Sequence, residues 1–343
     1  MWELWSQLFN LTKLEDVARF KMLMQLYMAN LTQGLVDDGH IYVMQAAAGL
    51  VSGASSQREY LTGLQHITYM KKLMNISNYP ALLRAISSIA KALFNENNLR
   101  CALNISDDQV PSVIRSFQNF VNQIPKNQSN ITSDKCYVTG KILSSKSGAP
   151  CQHHVLNVPV NYCSKAILTV PYTNPDYSKL RVLAKLLTSK YIHPNLRERF
   201  GAYGGGTRLT TDGVFTFFSY RDPRNIQTLD IFDQTQEWLN KEFKHITSQE
   251  IVEAKLGVFQ AVDTPIPPSH KGCNEFYLRL TPDVLQNHRA EIMAVDRKSL
   301  QDVGERYLSE SASLLKGKVV MGSKIDCDTS KRKDELWTVL DSA

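Results

Sequence analysis

A run of three glycines, Gly204–Gly206, and the segments around it most constrain the fold of this 343-residue chain. Two β-rich segments follow it, 207–209 and 214–220, and Asp212-Gly213 separates them. Asp-Gly between alternating apolar residues is a strong signal for a two-residue hairpin turn. The segment therefore predicts a β-hairpin with glycines at its entry. We expect those glycines to provide a positive φ or the close approach of another backbone, in preference to contacting a ligand.

An amphipathic helix is predicted just before this run. Its apolar residues recur at the spacing of one buried helix face: Leu180, Leu183, Ala184, Leu187 and Tyr191. Because a residue that precedes proline is disfavoured in the α region, we expect the helix to end near His193-Pro194. A short turn at 195–199 would then connect it to the glycines.

The rest of the chain divides into a helical part and a mixed part. Residues 1 to about 95 carry helical periodicity, and a short strand at 99–104 and a helix at 110–121 are predicted after them. Segment 123–150 is polar and rich in Ser, Asn and Lys, which favours a linker. The sequence thus predicts units at 1–122 and 151–343, in keeping with the length.

Strands and long helices are both expected in the second unit. The predicted strands are 155–160, 166–170 and, as the last one, 318–321, and the predicted long helices are 226–243 and 248–262. Strands and helices do not alternate strictly, so the fold class predicted is α+β rather than a doubly wound sheet.

Composition excludes several classes of protein. The net charge of +6 is spread along the chain and forms no basic stripe with interleaved aromatic residues, so no nucleic-acid partner is predicted. No run of about 18 apolar residues is present, which predicts no membrane span. The six cysteines form no C-x-x-C pair, which argues against a structural zinc module and a disulfide scaffold. With no secretory signal at the start, we expect reduced thiols in an intracellular compartment.

Catalytic motifs are sparse. The segment His288-Arg289-Ala290-Glu291-Ile292 is the nearest approach to the H-x-x-E-H zinc motif, and it lacks the second histidine, so no metal site is predicted in this chain. The chain has no G-x-S-x-G nucleophile motif. Gly204–Gly206 leads into a strand without the Gly-Lys pair of a phosphate loop, which makes phosphate binding a weak interpretation.

Two side chains near the glycines are candidates for a functional role. Arg197 is at a predicted helix end, where it can pair with Glu198, cap carbonyls or bind a ligand. Tyr203 lies between Ala202 and Gly204, whose small side chains offer little packing, so its phenol is expected to project into a cleft. Guanidinium and phenol groups are donors suited to a developing oxyanion. Spacing alone leaves these alternatives open.

Several segments resemble the C-terminal half of the pitrilysin-type inverted-zincin metallopeptidases, in the branch that degrades mitochondrial presequences. They are LRERFGAYGGGTRLTTDGVFTFFSYRDP at 196–223, TVPYTNPDYSKLRVLAKLLTSKYIHPNLRE at 169–198 and EAKLGVFQAVDTPIPPSHKG at 253–272. The resemblance implies pitrilysin/processing-peptidase-like α+β domains, each with a mostly antiparallel sheet packed with helices. Residues 1–122 would then be the helical C-terminal part of the third domain, 123–150 a linker and 151–343 the fourth domain.

The same resemblance implies a function. Arg197 and Tyr203 would be catalytic, and together with Gly204 and Gly205 they would bind substrate. The N-terminal half of the same protein would hold the zinc, with none bound by this chain, which alone would be inactive. Its partners would be that half and short unstructured peptides, in the mitochondrial matrix. The alternative is a non-catalytic peptide-binding or scaffold homologue.

Overall fold

The computed structural model describes residues 2–124, 149–309, 312–323 and 335–341. Within these ranges the helices are α1 Trp2–Leu11, α2 Val17–Asp37, α3 Gly39–Gly49, α4 Gly53–Thr62, α5 Leu64–Met74, α6 Tyr79–Leu93, α7 Val110–Gln123, α8 Pro175–Leu187, α9 Ile226–Asp233, α10 Thr235–Lys241, α11 Ser248–Val262, α12 Cys273–Leu278, α13 Pro282–Ala294 and α14 Arg297–Leu308. The strands are β1 Ala149–Val155, β2 Tyr162–Leu168, β3 Gly204–Leu209, β4 Val214–Tyr220, β5 Lys316–Gly322 and β6 Glu335–Asp341. None of the described helices is both long and apolar enough to cross a membrane.

The chain forms two compact units, each assembled from separate segments. Over their described residues, the first combines Met1–Ala29, Lys71–Tyr137 and Pro265–Thr281, and the second combines Asn30–Met70, Val138–Thr264 and Pro282–Ala343. The domain boundaries expected from sequence stay a prediction, because residues 125–148 of the expected linker lie outside the described residues.

The first unit is helical in its described part. Trp2 of α1 contacts Phe117 and Phe120 of α7, each with ring centroids 5.2 Å apart. The strand predicted at 99–104 is wrong, because this segment joins no sheet and lies between two single 3₁₀ turns. Its side chains are held by another segment instead, since Arg100 lies 4.8 Å from the centroid of the Phe276 ring.

The second unit is built on a six-stranded sheet with the strand order β3-β4-β2-β5-β1-β6. The pairs β3–β4, β4–β2 and β2–β5 are antiparallel, whereas β1 runs parallel to both β5 and β6. Mostly antiparallel strands packed with helices confirm the predicted α+β class. One face of the sheet packs on α3, and the core on the other face includes the buried side chains of α8, α9, α11 and α14.

The hairpin predicted at Asp212-Gly213 is confirmed, with a longer loop than expected. Thr210 N donates to Val214 O at 3.0 Å, so residues 211–213 form a three-residue loop. Gly213 has a φ of +86°, the left-handed position that a three-residue loop commonly requires. The sequence identified the turn, whereas its length follows from the strand register.

Some strand boundaries differ from the prediction. β1 and β2 both begin several residues earlier than expected, because Pro159 lacks an N–H and cannot donate to a ladder. β5 contains the predicted strand 318–321, and the prediction that it is the last strand is wrong because β6 follows it. The segment of β6 is short and follows a charged run, so it gives a weak sequence signal.

Buried charges in the sheet are paired with one another. The carboxylate of Asp233 at the end of α9 lies 2.8 Å from Lys165 Nζ and 2.6 Å from Lys318 Nζ, and Lys318 Nζ also lies 2.6 Å from Glu335. Burial alone would raise the pKa of Asp233, but the two lysines outweigh it and hold that pKa below its usual range. The charges therefore depend on one another for compensation.

We expect Asp233→Ala to destabilise the chain by about 3 kcal/mol or more, because it leaves two buried ammonium groups without their shared carboxylate. Urea unfolding followed by circular dichroism measures the change. Asp302→Ala removes an exposed carboxylate on α14 and serves as the matched control, with an effect within about 0.5 kcal/mol. Equal effects of the two substitutions would contradict this role of Asp233.

A second prediction concerns Glu59, which is buried in α4. Burial raises the pKa of its carboxyl from 4.5 to about 7, opposed in part by a hydrogen bond from Gln65 N. The unfolded chain ionises at a lower pH than the folded chain, so the stabilising contribution is complete below about pH 4.5 and is lost as the pH rises to about 7. That contribution is about 3 kcal/mol at most.

Glu59→Gln removes this titration, so the difference in free energy of unfolding between wild type and variant should change with pH only between about pH 4.5 and 7. Measuring both proteins by urea unfolding at closely spaced pH values isolates the Glu59 contribution from that of the buried histidines. A difference that is constant across this range would show that Glu59 is not the titrating group.

Candidate functional site

The helix that leads to the candidate site continues further than predicted. α8 passes into wider π-helical turns at Thr188–Ile192 and Pro194–Arg199, so the expected helix end at His193-Pro194 is wrong. A wider turn tolerates the missing N–H of Pro194, and the Asn195 side chain donates to Tyr191 O at 2.7 Å. Arg197 consequently lies in the last helical turn, in a type of turn that is frequent at functional sites.

Gly201 reverses the chain at the end of this helix. Its φ of +77° is the left-handed conformation that helix ends commonly place on glycine. Gly201 N donates to Arg197 O at 3.2 Å, and Ala202 N donates to Leu196 O at 2.9 Å. These bonds place Tyr203 directly before β3.

The three glycines of the run have different surroundings, and none has a positive φ. A Cβ on Gly205 would collide with Leu196 Cδ1 and lie 2.8 Å from Phe218 O, which agrees with the predicted close approach. A Cβ on Gly206 would lie 3.0 Å from Thr188 Cγ2, whereas a Cβ on Gly204 would meet nothing within 4 Å. Gly205 is therefore required by packing, and the position of Gly204 is open.

The outer edge of the sheet is partly closed by the same helix. β3 is an edge strand, and Thr207 N donates to Thr188 Oγ1 at 2.9 Å. Thr207 Oγ1 in turn donates to Ala184 O at 2.6 Å. The helix and the strand are thus joined by hydrogen bonds as well as by apolar contacts, which fixes the positions of Arg197 and Tyr203 relative to each other.

Arg197 and Tyr203 meet at this junction. The Arg197 guanidinium lies 5.9 Å from the centroid of the Tyr203 ring, within the range of a cation–π contact. Tyr203 is 65% exposed and Arg197 is also exposed. Among the described residues Arg197 has no carboxylate within 4.0 Å, so the pairing with Glu198 is not formed, whereas Arg199 donates to Asn195 Oδ1. The donors of Arg197 and Tyr203 are therefore available to a ligand.

Aromatic and charged residues that the sequence analysis did not select support Tyr203. Its ring packs edge-on against Tyr220 with centroids 5.6 Å apart, and Tyr220 contacts His40 at 4.7 Å. Arg221 lies over the Tyr220 ring, and its carbonyl accepts a hydrogen bond from Tyr203 N at 3.2 Å. The only sequence signal for this support was the position of Tyr220-Arg221 at the end of a predicted strand.

A buried aspartate holds the turn behind this cluster. The carboxylate of Asp222 accepts from Thr228 Oγ1 at 2.7 Å and from Arg224 N at 2.9 Å. Burial raises the pKa of Asp222. Arg221, directly before it, has a φ of +48°, which costs energy in a residue with a side chain and persists here because Asp222 fixes the backbone.

The donor set does not fit a resident zinc ion in the described part of the chain. No group of three or more His, Cys, Asp and Glu residues lies close enough there to hold a metal. His288 is buried against Tyr172, and its Nε2 lies 3.2 Å from Arg181 Nη1, so this nitrogen accepts from the guanidinium. Burial and the Arg181 charge lower the pKa of His288 to about 4.

The chain is similar to known proteins along most of its length. It is 35% identical over 335 residues to "Presequence protease, mitochondrial" of Drosophila melanogaster, which covers 97% of this chain and 32% of that protein. It is 34% identical over 355 residues to the protein of the same name in Danio rerio, covering 99% of this chain and 34% of that protein. The chain thus spans about a third of the length of these curated relatives.

A solved structure with the same fold is "Crystal structure of a conserved protein from Enterococcus faecalis V583", with a TM-score of 0.57 and 15% identity, covering 91% of this chain and 69% of that one. Residues 1–73 match a second family, whose description is that of a peptidase-associated region. Residues 152–323, half of the chain, match the family described as "PreP C-terminal domain". The chain belongs to the PreP C-terminal domain family.

Proposed function

We propose that this chain supplies the substrate-binding half of a composite peptidase site. The observation that carries the proposal is the exposed Arg197–Tyr203 pair, whose donors have no carboxylate partner among the described residues and whose backbones are fixed from two sides. The curated relatives named presequence protease supply the reaction class, peptide hydrolysis. The substrates are mitochondrial presequences and other short unstructured peptides, and the protein acts in the mitochondrial matrix.

The two side chains have distinct roles in this proposal. The Arg197 guanidinium binds a carbonyl of the peptide backbone, and the Tyr203 hydroxyl donates to the oxyanion that develops at the scissile carbonyl. Gly204 and Gly205 line the approach of the peptide, since the open space at Gly204 leaves its backbone accessible. Fixed donors of this kind lose little free energy on reorganisation when charge develops.

The remaining chemistry comes from the partner of this half. The N-terminal half of the same protein holds the zinc, which supplies Lewis-acid activation of the carbonyl and of water. The residues of this chain bind and orient the peptide. The 343-residue chain by itself is accordingly expected to show no zinc-dependent peptide cleavage.

We expect Arg197→Lys and Tyr203→Phe each to lower kcat for peptide cleavage by about 10²–10³-fold when the chain is combined with its N-terminal half. Each substitution removes donors that act on the transition state while it preserves bulk. Steady-state cleavage of a quenched-fluorescence peptide measures the effect.

Arg199→Lys and Tyr277→Phe are the matched controls, because both native side chains are exposed. Wild-type rates in the Arg197 and Tyr203 variants would instead support a non-catalytic, scaffold role for this chain. Cleavage by the purified chain alone would overturn the composite site.

A further inference from the structure

A second groove lies on the other side of β3, between α3 and the β3–β4 hairpin. It encloses about 400 Å³ and belongs entirely to the second unit. Apolar side chains of α3, among them Ile41 and Met44, form one wall. Its polar lining consists of Gln45, Arg58, Arg208, Thr210, Thr211 and Thr216.

The charge of this groove is positive. Arg58 and Arg208 both line it, both are exposed, and none of its lining residues is acidic. In the described part of the chain, neither guanidinium donates a hydrogen bond or lies within 4.0 Å of a carboxylate. The acid nearest to Arg58 in the electrostatics is Asp212, and its Oδ2 accepts from two serine hydroxyls at 2.8 and 3.0 Å.

The backbones that carry the two arginines are held in place. Gln45 Nε2 donates to Arg58 O at 2.8 Å, and Thr216 Oγ1 donates to Arg208 O at 3.1 Å. The guanidinium groups themselves remain uncommitted. Fixed attachment with free donors is the arrangement of a binding site, whereas arginines that serve stability, such as Arg306, pair with an internal carboxylate at Asp176.

The groove and the Arg197–Tyr203 pair lie along the same strand. Gly204 and Arg208 are four residues apart on β3, which is about 13 Å in an extended strand, and positions at this separation face the same side of a sheet. His40 of α3 contacts Tyr220, against which Tyr203 packs. A peptide of about four extended residues would reach from Tyr203 to Arg208.

We propose that this groove binds a carboxylate of the peptide substrate. A guanidinium fork matches the two oxygens of a carboxylate, and the wall formed by Ile41 and Met44 accommodates an adjoining apolar side chain. The free C-terminus and an acidic side chain share this chemistry. The proposal rests on the proposed function, because it takes a peptide bound at Tyr203 as the ligand that the groove anchors.

The test measures binding of rhodamine-labelled hexapeptides to the full 343-residue chain by fluorescence anisotropy. One peptide has a free C-terminus and no acidic side chain, a second is its C-terminal amide, and a third is the amide with Glu as its last residue. We expect the free acid to bind about tenfold more tightly than the amide. Tighter binding of the Glu-containing amide than of the plain amide identifies an acidic side chain as an additional source of the carboxylate.

The double variant R58Q/R208Q should bind the acid and the amide equally, at the affinity of the amide. Arg115→Gln, an exposed arginine of α7, changes the charge in the same direction and should leave the difference intact. Equal binding of acid and amide by the wild type, or a difference that persists in R58Q/R208Q, would overturn the groove.

The outcome separates this inference from the proposed function. If Arg197→Lys weakens all three peptides while acid and amide bind equally, the groove fails and the Arg197–Tyr203 site stands. If none of the peptides binds the wild-type chain, both fail.

Discussion

The candidate site depends on the close packing of a helix end against a glycine in an edge strand. Leu196 occupies the space that a side chain on Gly205 would need, and Thr188 bonds the backbone of Thr207 two residues further along. Because the helix and the strand are joined at two points, Arg197 and Tyr203 are brought together without any direct hydrogen bond between them. Gly201 completes the junction by reversing the chain in a left-handed conformation.

Charge separates the residues that stabilise this fold from those available to a ligand. Lys165 and Lys318 are buried and share the carboxylate of Asp233, as expected for charges removed from water. Arg197 and Arg208 are exposed on anchored backbones, and in the described residues neither has a carboxylate within 4.0 Å. Two such arginines on one strand-and-helix junction are consistent with a surface that holds a peptide at more than one point.

The sequence predicted local features well where a residue type is physically required. The hairpin at Asp212-Gly213 and the helix Ser248–Val262, with its capping box, are confirmed because turn and capping residues act over a few positions. The α+β class followed from the order of strands and helices. The selection of Arg197 and Tyr203 used the resemblance as well as spacing, and their roles stay predictions.

Features set by distant contacts could not be predicted in the same way. The helix passes Pro194 because π-helical turns and Asn195 compensate for the missing N–H. Gly205 is required by Leu196 and not by its own φ, which no local pattern reveals. The packing of Tyr220 on Tyr203 depends on strand register, so the aromatic support of the site became visible only in the folded chain.

The central claim is that a peptide binds at Tyr203, and photocrosslinking tests it most directly. A benzophenone amino acid at position 203 should crosslink to a bound unstructured peptide, and unlabelled peptide should compete. The same group at position 277, where the native tyrosine is also exposed, should give no saturable crosslink. Absent or equal crosslinking at the two positions would contradict the account.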